Sequence, residues 1–171
     1  MNISRIRIRF VAAAAASVVV VFAAALAGDE KANPAWDKLK SLVGTWQGTM
    51  EGHPVSVTYT LVSNGTSLME SLTGEHDVNM ITMYHPDGDS MLATHYCAAG
   101  NQPRIRAKAL SDDGRKLDFQ FVDATNVAGS SGEVMNRLVV TFQDPDHFTQ
   151  TWTARSRGKD HTSDFVYTRK K

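Results

Sequence analysis

Cysteine is almost absent from this sequence, since Cys97 is the only one among 171 residues. One thiol cannot form an internal disulfide, so the fold must rest on its hydrophobic core. Metal-binding pairs of the C-x-x-C or H-x-x-x-H type are absent as well. Any metal site would therefore have to collect its ligands from distant parts of the chain.

A concentrated basic surface is also missing. Lysine plus arginine and aspartate plus glutamate both total 18, so the net charge is zero with neutral histidines. The basic C-terminal run 168–171 is too short to bind a phosphate backbone. The composition therefore predicts that nucleic acid is not a partner.

The first 27 residues contain no acidic side chain. Three arginines precede a run rich in alanine and valine, and Ala25-Leu26-Ala27 is an A-x-A processing signal. This pattern predicts a signal peptide over residues 1–27 and an exported chain, periplasmic or extracellular, over residues 28–171. An uncleaved anchor is the alternative, because the apolar run is nearly long enough to span a bilayer. Cleavage would leave fifteen basic and eighteen acidic residues, a net charge of −3, and no membrane span.

One short helix is predicted near the start of the mature chain. Apolar residues recur at helical spacing over 36–43, with Asn33-Pro34 as a start signal and Gly44 as a stop.

The chain after Gly44 is predicted to form strands, with turns about every 8 to 12 residues. Asn64-Gly65, Asp87-Gly88 and Asp113-Gly114 supply the positive φ angles of tight hairpins, so successive strands should be antiparallel neighbours. The ten predicted strands cover 44–51, 54–63, 67–75, 77–85, 90–98, 104–110, 116–123, 133–143, 147–156 and 161–169.

Alternation of apolar and polar residues indicates the fold class. Val55, Val57 and Tyr59 share one face of their strand, and polar residues occupy the other. Consecutive antiparallel strands of this kind can close into a barrel, which removes exposed sheet edges. The prediction is an all-β, about ten-stranded antiparallel up-and-down β-barrel with one short N-terminal helix, and a flat sandwich is the alternative. The polar loop 123–133 is either a flap over the barrel mouth or a plain connection.

The segment "LVGTWQG" places Gly44, Trp46 and Gly48 at the first strand, directly after the helix. This layout resembles the calycin group of barrels, which includes lipocalins, fatty-acid-binding proteins and nitrobindin-like proteins. The resemblance covers most of residues 28–171 in layout and these three residues in motif. It implies a closed barrel that holds a small hydrophobic or amphipathic ligand in its interior.

The same resemblance implies structural roles for Trp46 and Arg169. In calycin-like barrels the tryptophan faces inward and closes the base, often beneath a basic residue from the last strand. A guanidinium over an indole face gains about 0.5 to 2 kcal/mol. We therefore expect both residues to stabilise the base of the barrel.

This chain departs from the calycin families at three points. The second lipocalin signature, a T-D-Y-like turn, is absent. Nitrobindin-like proteins bind haem through a histidine late in the barrel, and the matching segment 136–152 offers only His147, beside a turn. Fatty-acid binders use R-x-Y in their final strand, whereas here Tyr167 precedes Arg169. Haem is thus a cofactor that the resemblance suggests and the sequence does not assign.

Residues 91–104 contain the most chemically versatile side chains of the chain. Period two places His95 and Cys97 on one strand face and Tyr96 on the other, and either face could look inward. Imidazole and thiolate suit zinc, copper or iron, but two ligands are too few for a site. The alternative is a core histidine beside an inert buried thiol. Further ligands would have to come from His53, His76, His85, His147 or His161.

Catalysis by Cys97 would require a base within hydrogen-bond reach. His95 lies two residues away on the same strand, about 6.5 to 7 Å along the backbone, so it could approach only by leaning. The sequence leaves an enzymatic role open and assigns no catalytic residue.

The turn before the sixth strand offers polar donors. Asn101, Gln102 and Arg104 could present them at the barrel rim, where an anionic head group would sit, and Arg106 follows on the same face. The alternative is turn chemistry alone. The predicted ligand-binding residues are His95, Tyr96, Cys97, Arg104 and Arg106.

Three functions remain open at this point. The first is an exported protein that binds a small hydrophobic or amphipathic molecule inside a barrel. The second is a haem- or metal-binding barrel of nitrobindin type that uses His95 or His147. The third is a non-catalytic structural or interaction domain whose barrel is filled by side chains. Methionines spread over the strands fit either a filled core or an adaptable pocket wall.

Overall fold

The computed structural model describes residues 32–74, 79–127 and 132–171. The predicted signal peptide 1–27 lies outside these ranges, as do His76 and the middle of the loop 123–133. No helix in the described ranges is long and apolar enough to cross a membrane.

Ten antiparallel strands form one closed barrel, which confirms the predicted fold class and rules out the sandwich. Each strand pairs with its neighbours in sequence, and β1 also pairs with β10 to close the ring. The strands are β1 (Gly44–Met50), β2 (His53–Val62), β3 (Ser67–Gly74), β4 (Asn79–Asp87), β5 (Ser90–Tyr96), β6 (Gln102–Ala107), β7 (Lys116–Thr125), β8 (Val134–Asp144), β9 (His147–Ser156) and β10 (Lys159–Arg169).

The predicted hairpin turns lie between successive strands. Gly65, Gly88 and Gly114 have φ angles of 86°, 61° and 69°, which side chains other than glycine rarely adopt. The X-Gly pairs therefore mark the β2–β3, β4–β5 and β6–β7 connections, as expected.

Helix α1 (Pro34–Lys40) starts where predicted and ends earlier. The Asn33 side chain caps it by accepting a hydrogen bond of 3.1 Å from the Trp36 backbone N–H. The predicted end at residue 43 is wrong, because residues 41–43 form a tighter turn with bonds to carbonyls three residues back. Ala35, Trp36 and Leu39 are buried in the barrel core, so α1 covers one end of the barrel.

The barrel is less regular at the end away from α1. Strand β7 pairs with β8 only as far as Gln120 and Arg137, and its last residues pair with β6 alone. Phe121 and Val122 are 45% and 43% exposed there. The described parts of β7 and β8 therefore separate at this end.

Candidate functional site

Four neighbouring strands each carry one polar residue on the inner face of the barrel, at directly paired positions. None exposes more than 3% of its surface. Side chains paired across antiparallel strands have Cβ atoms about 4.5 to 5.5 Å apart, so these four form a continuous row. The row is Tyr59 on β2, Glu70 on β3, Thr82 on β4 and His95 on β5.

Glu70 is the acidic centre of this row. Its Oε2 atom accepts hydrogen bonds from the Tyr59 hydroxyl at 2.9 Å, the Tyr84 hydroxyl at 2.7 Å and Gln150 Nε2 at 2.7 Å. Burial raises the pKa of the Glu70 carboxyl, and the three hydrogen bonds offset part of that rise. No lysine or arginine is buried among the described residues, so no buried side-chain cation balances this carboxyl.

Three tyrosine hydroxyls surround the carboxyl. Burial and the Glu70 carboxyl raise the pKa of Tyr59, Tyr84 and Tyr167, so all three stay protonated and can donate. Tyr167 is fully buried, yet its hydroxyl has no hydrogen-bond partner.

The Tyr167 ring is held in place by close packing. It stacks on Phe148 with ring centroids 4.8 Å apart. It also approaches β1 at Gly48, where an added Cβ would come within 2.7 Å of Tyr167 Cδ1 and would overlap the Val166 carbonyl oxygen. Glycine is therefore required at position 48, and the G-x-W-x-G pattern has a steric reason at its last position.

His95 lies at the other end of the polar row, near the end of the barrel away from α1. Its Nδ1 atom is 2.9 Å from Thr82 Oγ1, and its ring centroid is 4.7 Å from that of Trp152. Burial lowers the pKa of His95 to about 4, so the imidazole is neutral near pH 7. The Nε2 atom is buried without a partner. An unsatisfied buried polar group costs about 1 to 3 kcal/mol, which a ligand or an ordered water can recover.

Gln150 and Trp152 connect the two ends of the row from across the barrel. Gln150 Nε2 donates to both Glu70 and the Tyr59 hydroxyl, while its Oε1 atom accepts from Trp152 Nε1 at 3.3 Å. Trp152 in turn packs on His95. We call these residues the interior polar cluster: Tyr59, Glu70, Thr82, Tyr84, His95, Gln150, Trp152 and Tyr167.

Flexible apolar side chains also pack against the barrel core. Met50, Met80 and Met135 are partly buried against the barrel core. Unbranched methionine side chains can rearrange at low cost, so this part of the core is adaptable.

The structure separates the five residues predicted from sequence to bind a ligand. His95 faces the interior, whereas Tyr96 is 49% exposed on the outer face. Cys97 is a partly buried free thiol just beyond the end of β5, where its backbone N–H bonds to the Asn101 carbonyl at 3.1 Å.

Arg104 and Arg106 point away from the interior. Buried residues on β6 alternate with them, and Ile105 lies between them at 0% exposure. Arg104 forms a bidentate ion pair with Asp123, and Arg106 pairs with Asp87. This geometry differs from the expected paired contact to an anionic head group, because both guanidinium groups already bind carboxylates outside the barrel.

The sequence analysis predicted only His95 among the residues of the interior polar cluster. One sequence signal for the others is a polar residue on an otherwise apolar strand face. Glu70 stands between Leu68 and Leu72 at period two, so an acidic residue interrupts an otherwise apolar face. The same interruption occurs at Gln150 between Phe148 and Trp152. A polar residue on the apolar face of a strand therefore marks the cluster.

The barrel base, formed by Leu42, Trp46 and Arg169, has the contact predicted from the resemblance. The Arg169 guanidinium carbon lies 4.0 Å from the centroid of the Trp46 ring. The same guanidinium donates to the carbonyls of Ser41 and Val43 at 2.8 and 3.0 Å. Trp46 Nε1 donates to the Leu42 carbonyl at 2.7 Å.

The two histidines considered for haem ligation differ in exposure. His147 is exposed, and its Nδ1 atom lies 2.9 Å from a carboxylate oxygen of Asp144. His95 is buried beside Trp152, and its Nδ1 atom is already 2.9 Å from Thr82 Oγ1. Within the described ranges, no group of three or more His, Cys, Asp or Glu side chains could hold a metal ion.

Comparisons with known proteins bear on the fold. No protein-family model and no curated protein matches this chain. The crystal structure of Rv2717c from M. tuberculosis is similar, with a TM-score of 0.58 and 15% sequence identity, over 81% of this chain and 98% of that one. At this identity the similarity supports the barrel fold alone.

Proposed function

We propose that this protein holds a small amphipathic molecule inside its barrel, with a hydrogen bond to His95. The observation that carries the proposal is the His95 Nε2 atom, which is buried, uncharged near pH 7 and without a partner. Ligand sites typically combine apolar walls with a few such polar groups.

The surroundings of His95 supply the apolar walls. The Trp152 indole packs on the imidazole, and the partly buried methionines at positions 50, 80 and 135 can move to admit a ligand. Burial of apolar ligand surface contributes about 25 cal/mol per Å². The ligand would gain affinity from this burial and orientation from His95.

The charge of the interior argues against an anionic ligand. Glu70 is the buried acidic group, and no lysine or arginine in the described ranges is buried to balance a second negative charge. A fatty-acid carboxylate would therefore lose its hydration without gaining a counterion. We expect an uncharged or cationic molecule instead.

An exported location is part of the proposal and depends on residues 1–27. Intact mass measurement of the protein from its own host would test it, with a mature chain that starts at residue 28 as the expected result. A native spectrum of the same sample would give the mass of any ligand that copurifies. A chain that keeps residues 1–27 would contradict cleavage.

Isothermal titration calorimetry with 4-phenylbutanol and 4-phenylbutyrate tests the binding proposal. These two probes share one apolar body and differ in charge. We expect the alcohol to bind and the carboxylate to bind at least about tenfold more weakly. If the wild-type protein binds neither these probes nor 4-phenylbutylamine, the barrel is better described as a filled structural domain.

Two matched variants then test the role of His95. His95→Phe keeps an aromatic ring beside Trp152 and removes the Nε2 atom. His147→Phe makes the same change at an exposed position on the surface. We expect the alcohol to bind about tenfold more weakly to His95→Phe and normally to His147→Phe. Equal affinity in both variants would remove His95 from the site.

A further inference from the structure

Glu70 is a buried carboxyl without a cation. Its side chain is on the inner face of β3 with 2% exposure, and the described lysines and arginines all lie nearer the surface. Buried charges in proteins are normally paired, because an isolated one loses its hydration without compensation. This carboxyl must therefore be protonated or be paired with something that enters the barrel.

The hydrogen bonds of Glu70 leave one oxygen available. Tyr59, Tyr84 and Gln150 all donate to Oε2, and no donor from the described residues lies on Oε1. The Tyr167 hydroxyl is close enough for the carboxyl to raise its pKa, and it also has no partner. Phe148 contacts both Tyr167 and Tyr59, and Tyr59 donates to Glu70, so the hydroxyl and the carboxyl belong to one group of contacting inner-face residues.

The walls around this region are aromatic. Phe148 packs edge-on against Tyr59 with ring centroids 5.9 Å apart and stacks on Tyr167 at 4.8 Å. Aromatic faces attract cations, most strongly where water is excluded. Neither an anion nor a purely apolar group would use this combination of carboxyl, hydroxyl and ring faces.

We propose that Glu70 is the counterion for a protonated amine, so that the ligand class is an amphipathic amine. The ammonium group donates to Glu70 Oε1 and to the Tyr167 hydroxyl oxygen, while its apolar body lies toward Trp152 and His95. This inference rests on the proposed function, because it names the ligand class of the same barrel interior.

The amine should bind more tightly as the pH rises. Burial raises the pKa of Glu70, and only the ionised carboxylate present above that pKa attracts a cation. The other titratable groups that face Glu70 do not change charge in this window. They are Tyr59 on β2, Tyr84 on β4 and Tyr167 on β10, all with raised pKa values, and His95 on β5, which is neutral above about pH 4.

Calorimetry with 4-phenylbutylamine and 4-phenylbutanol, from about pH 5 to about pH 9, tests the inference. The amine stays protonated throughout, since alkylammonium groups of this kind titrate near the lysine value of about 10.4. We expect the full-length protein to prefer the amine at least about tenfold near pH 8 and to lose that preference at low pH.

Glu70→Gln and Glu51→Gln are the matched variants. Glu70→Gln removes the interior charge and keeps an acceptor, whereas Glu51→Gln makes the same change on the exposed β1–β2 turn. We expect Glu70→Gln to lose the preference for the amine over the alcohol, and Glu51→Gln to retain that preference.

Each outcome of these titrations decides between the two proposals. Amine and alcohol bound equally by the wild type at every pH, or an amine preference that survives Glu70→Gln, would overturn the amine inference and leave the binding proposal intact. If circular dichroism shows that Glu70→Gln is unfolded, the wild-type pH profile decides, and a flat preference overturns the inference. No binding of either probe would overturn both proposals.

Discussion

The barrel base and the interior polar cluster both combine aromatic rings with polar side chains. They differ in how many of their buried polar atoms have a hydrogen-bond partner. At the base, the Arg169 guanidinium donates to three backbone carbonyls, and the Trp46 indole N–H also has an acceptor. In the interior polar cluster, His95 Nε2 and the Tyr167 hydroxyl have no partner although both are buried. Buried polar groups in proteins nearly always have a partner, so an unsatisfied one points to a water, an ion or a ligand. The comparison indicates a stabilising role for the base, and the unsatisfied atoms of the cluster are the basis of the binding proposal.

Trp46→Ala should have the largest effect on stability. The side chain is 1% exposed and packs edge-on against Phe148 at 4.7 Å, so its removal leaves a cavity at the base. We expect the free energy of unfolding to fall by about 3 to 5 kcal/mol in chemical denaturation. Val166→Ala, on the exposed face of β10, should change it by less than about 0.5 kcal/mol. A Trp46→Ala effect as small as the control would contradict a structural role for the base.

Acidification should destabilise the protein through His95. Its pKa is lowered to about 4 by burial, so its contribution is present above the unfolded value of 6.5 and is lost as the pH falls toward 4. We expect a loss of up to about 3 kcal/mol over this range. Glu70 acts in the opposite direction, because its raised pKa favours the folded state at low pH and that contribution is lost as the pH rises.

Two histidine variants test whether His95 causes the loss of stability at low pH. His95→Phe should flatten the acid limb of the unfolding free energy measured from about pH 7 to about pH 4. His147→Phe should change that limb much less, because His147 is an exposed residue whose contact with Asp144 only helps to lower the pKa of that exposed carboxyl. An acid limb that survives His95→Phe would show that a different group causes it.

Arg169→Ala and Arg104→Ala compare an arginine at the base with one on the outer face. Arg169 binds three carbonyls and covers Trp46, so its loss should cost about 2 kcal/mol. Arg104 forms an exposed ion pair with Asp123, and such pairs contribute at most about 1 kcal/mol. Equal losses in thermal or chemical denaturation would mean that the base contacts add nothing beyond surface pairing.

Two tyrosine variants of the interior polar cluster should give the smallest changes in unfolding free energy, and these changes should differ in sign. Tyr84→Phe removes a donor to Glu70 and should destabilise the protein by about 1 to 2 kcal/mol. Tyr167→Phe removes a hydroxyl without a partner and should be neutral or stabilising by up to about 1 kcal/mol. Denaturation of both variants in the absence of ligand checks the difference in sign. Destabilisation by Tyr167→Phe would indicate that its hydroxyl is already satisfied by water.

The fold could be predicted from local sequence patterns. Alternation of apolar residues located all ten strands, and the X-Gly pairs located three of the hairpins. The helix end was missed because the tighter turn over 41–43 keeps the apolar spacing of a helix while it changes the hydrogen bonds. Strand boundaries differed at β6, which begins at Gln102 because Pro103 lies within the strand opposite Ala124.

The site was only partly predictable because its contacts join distant strands. Residues 91–97 are apolar enough on both faces that period two alone could not show which face turns inward. Glu70 meets Tyr59 across 11 positions and Gln150 across 80, so only the closed sheet brings them together. Whether Arg104 and Arg106 face inward or outward could not be predicted for the same reason, and the structure places both on the outer face of β6.

Nitrogen-15 NMR of the histidine side chains tests the central claim most directly. Among six histidines, we expect one imidazole to titrate near pH 4, and this resonance should disappear in His95→Phe. Its Nε2 signal should shift when 4-phenylbutanol saturates the protein, because the alcohol then forms the missing hydrogen bond. An Nε2 signal that stays unchanged at saturation would contradict the account.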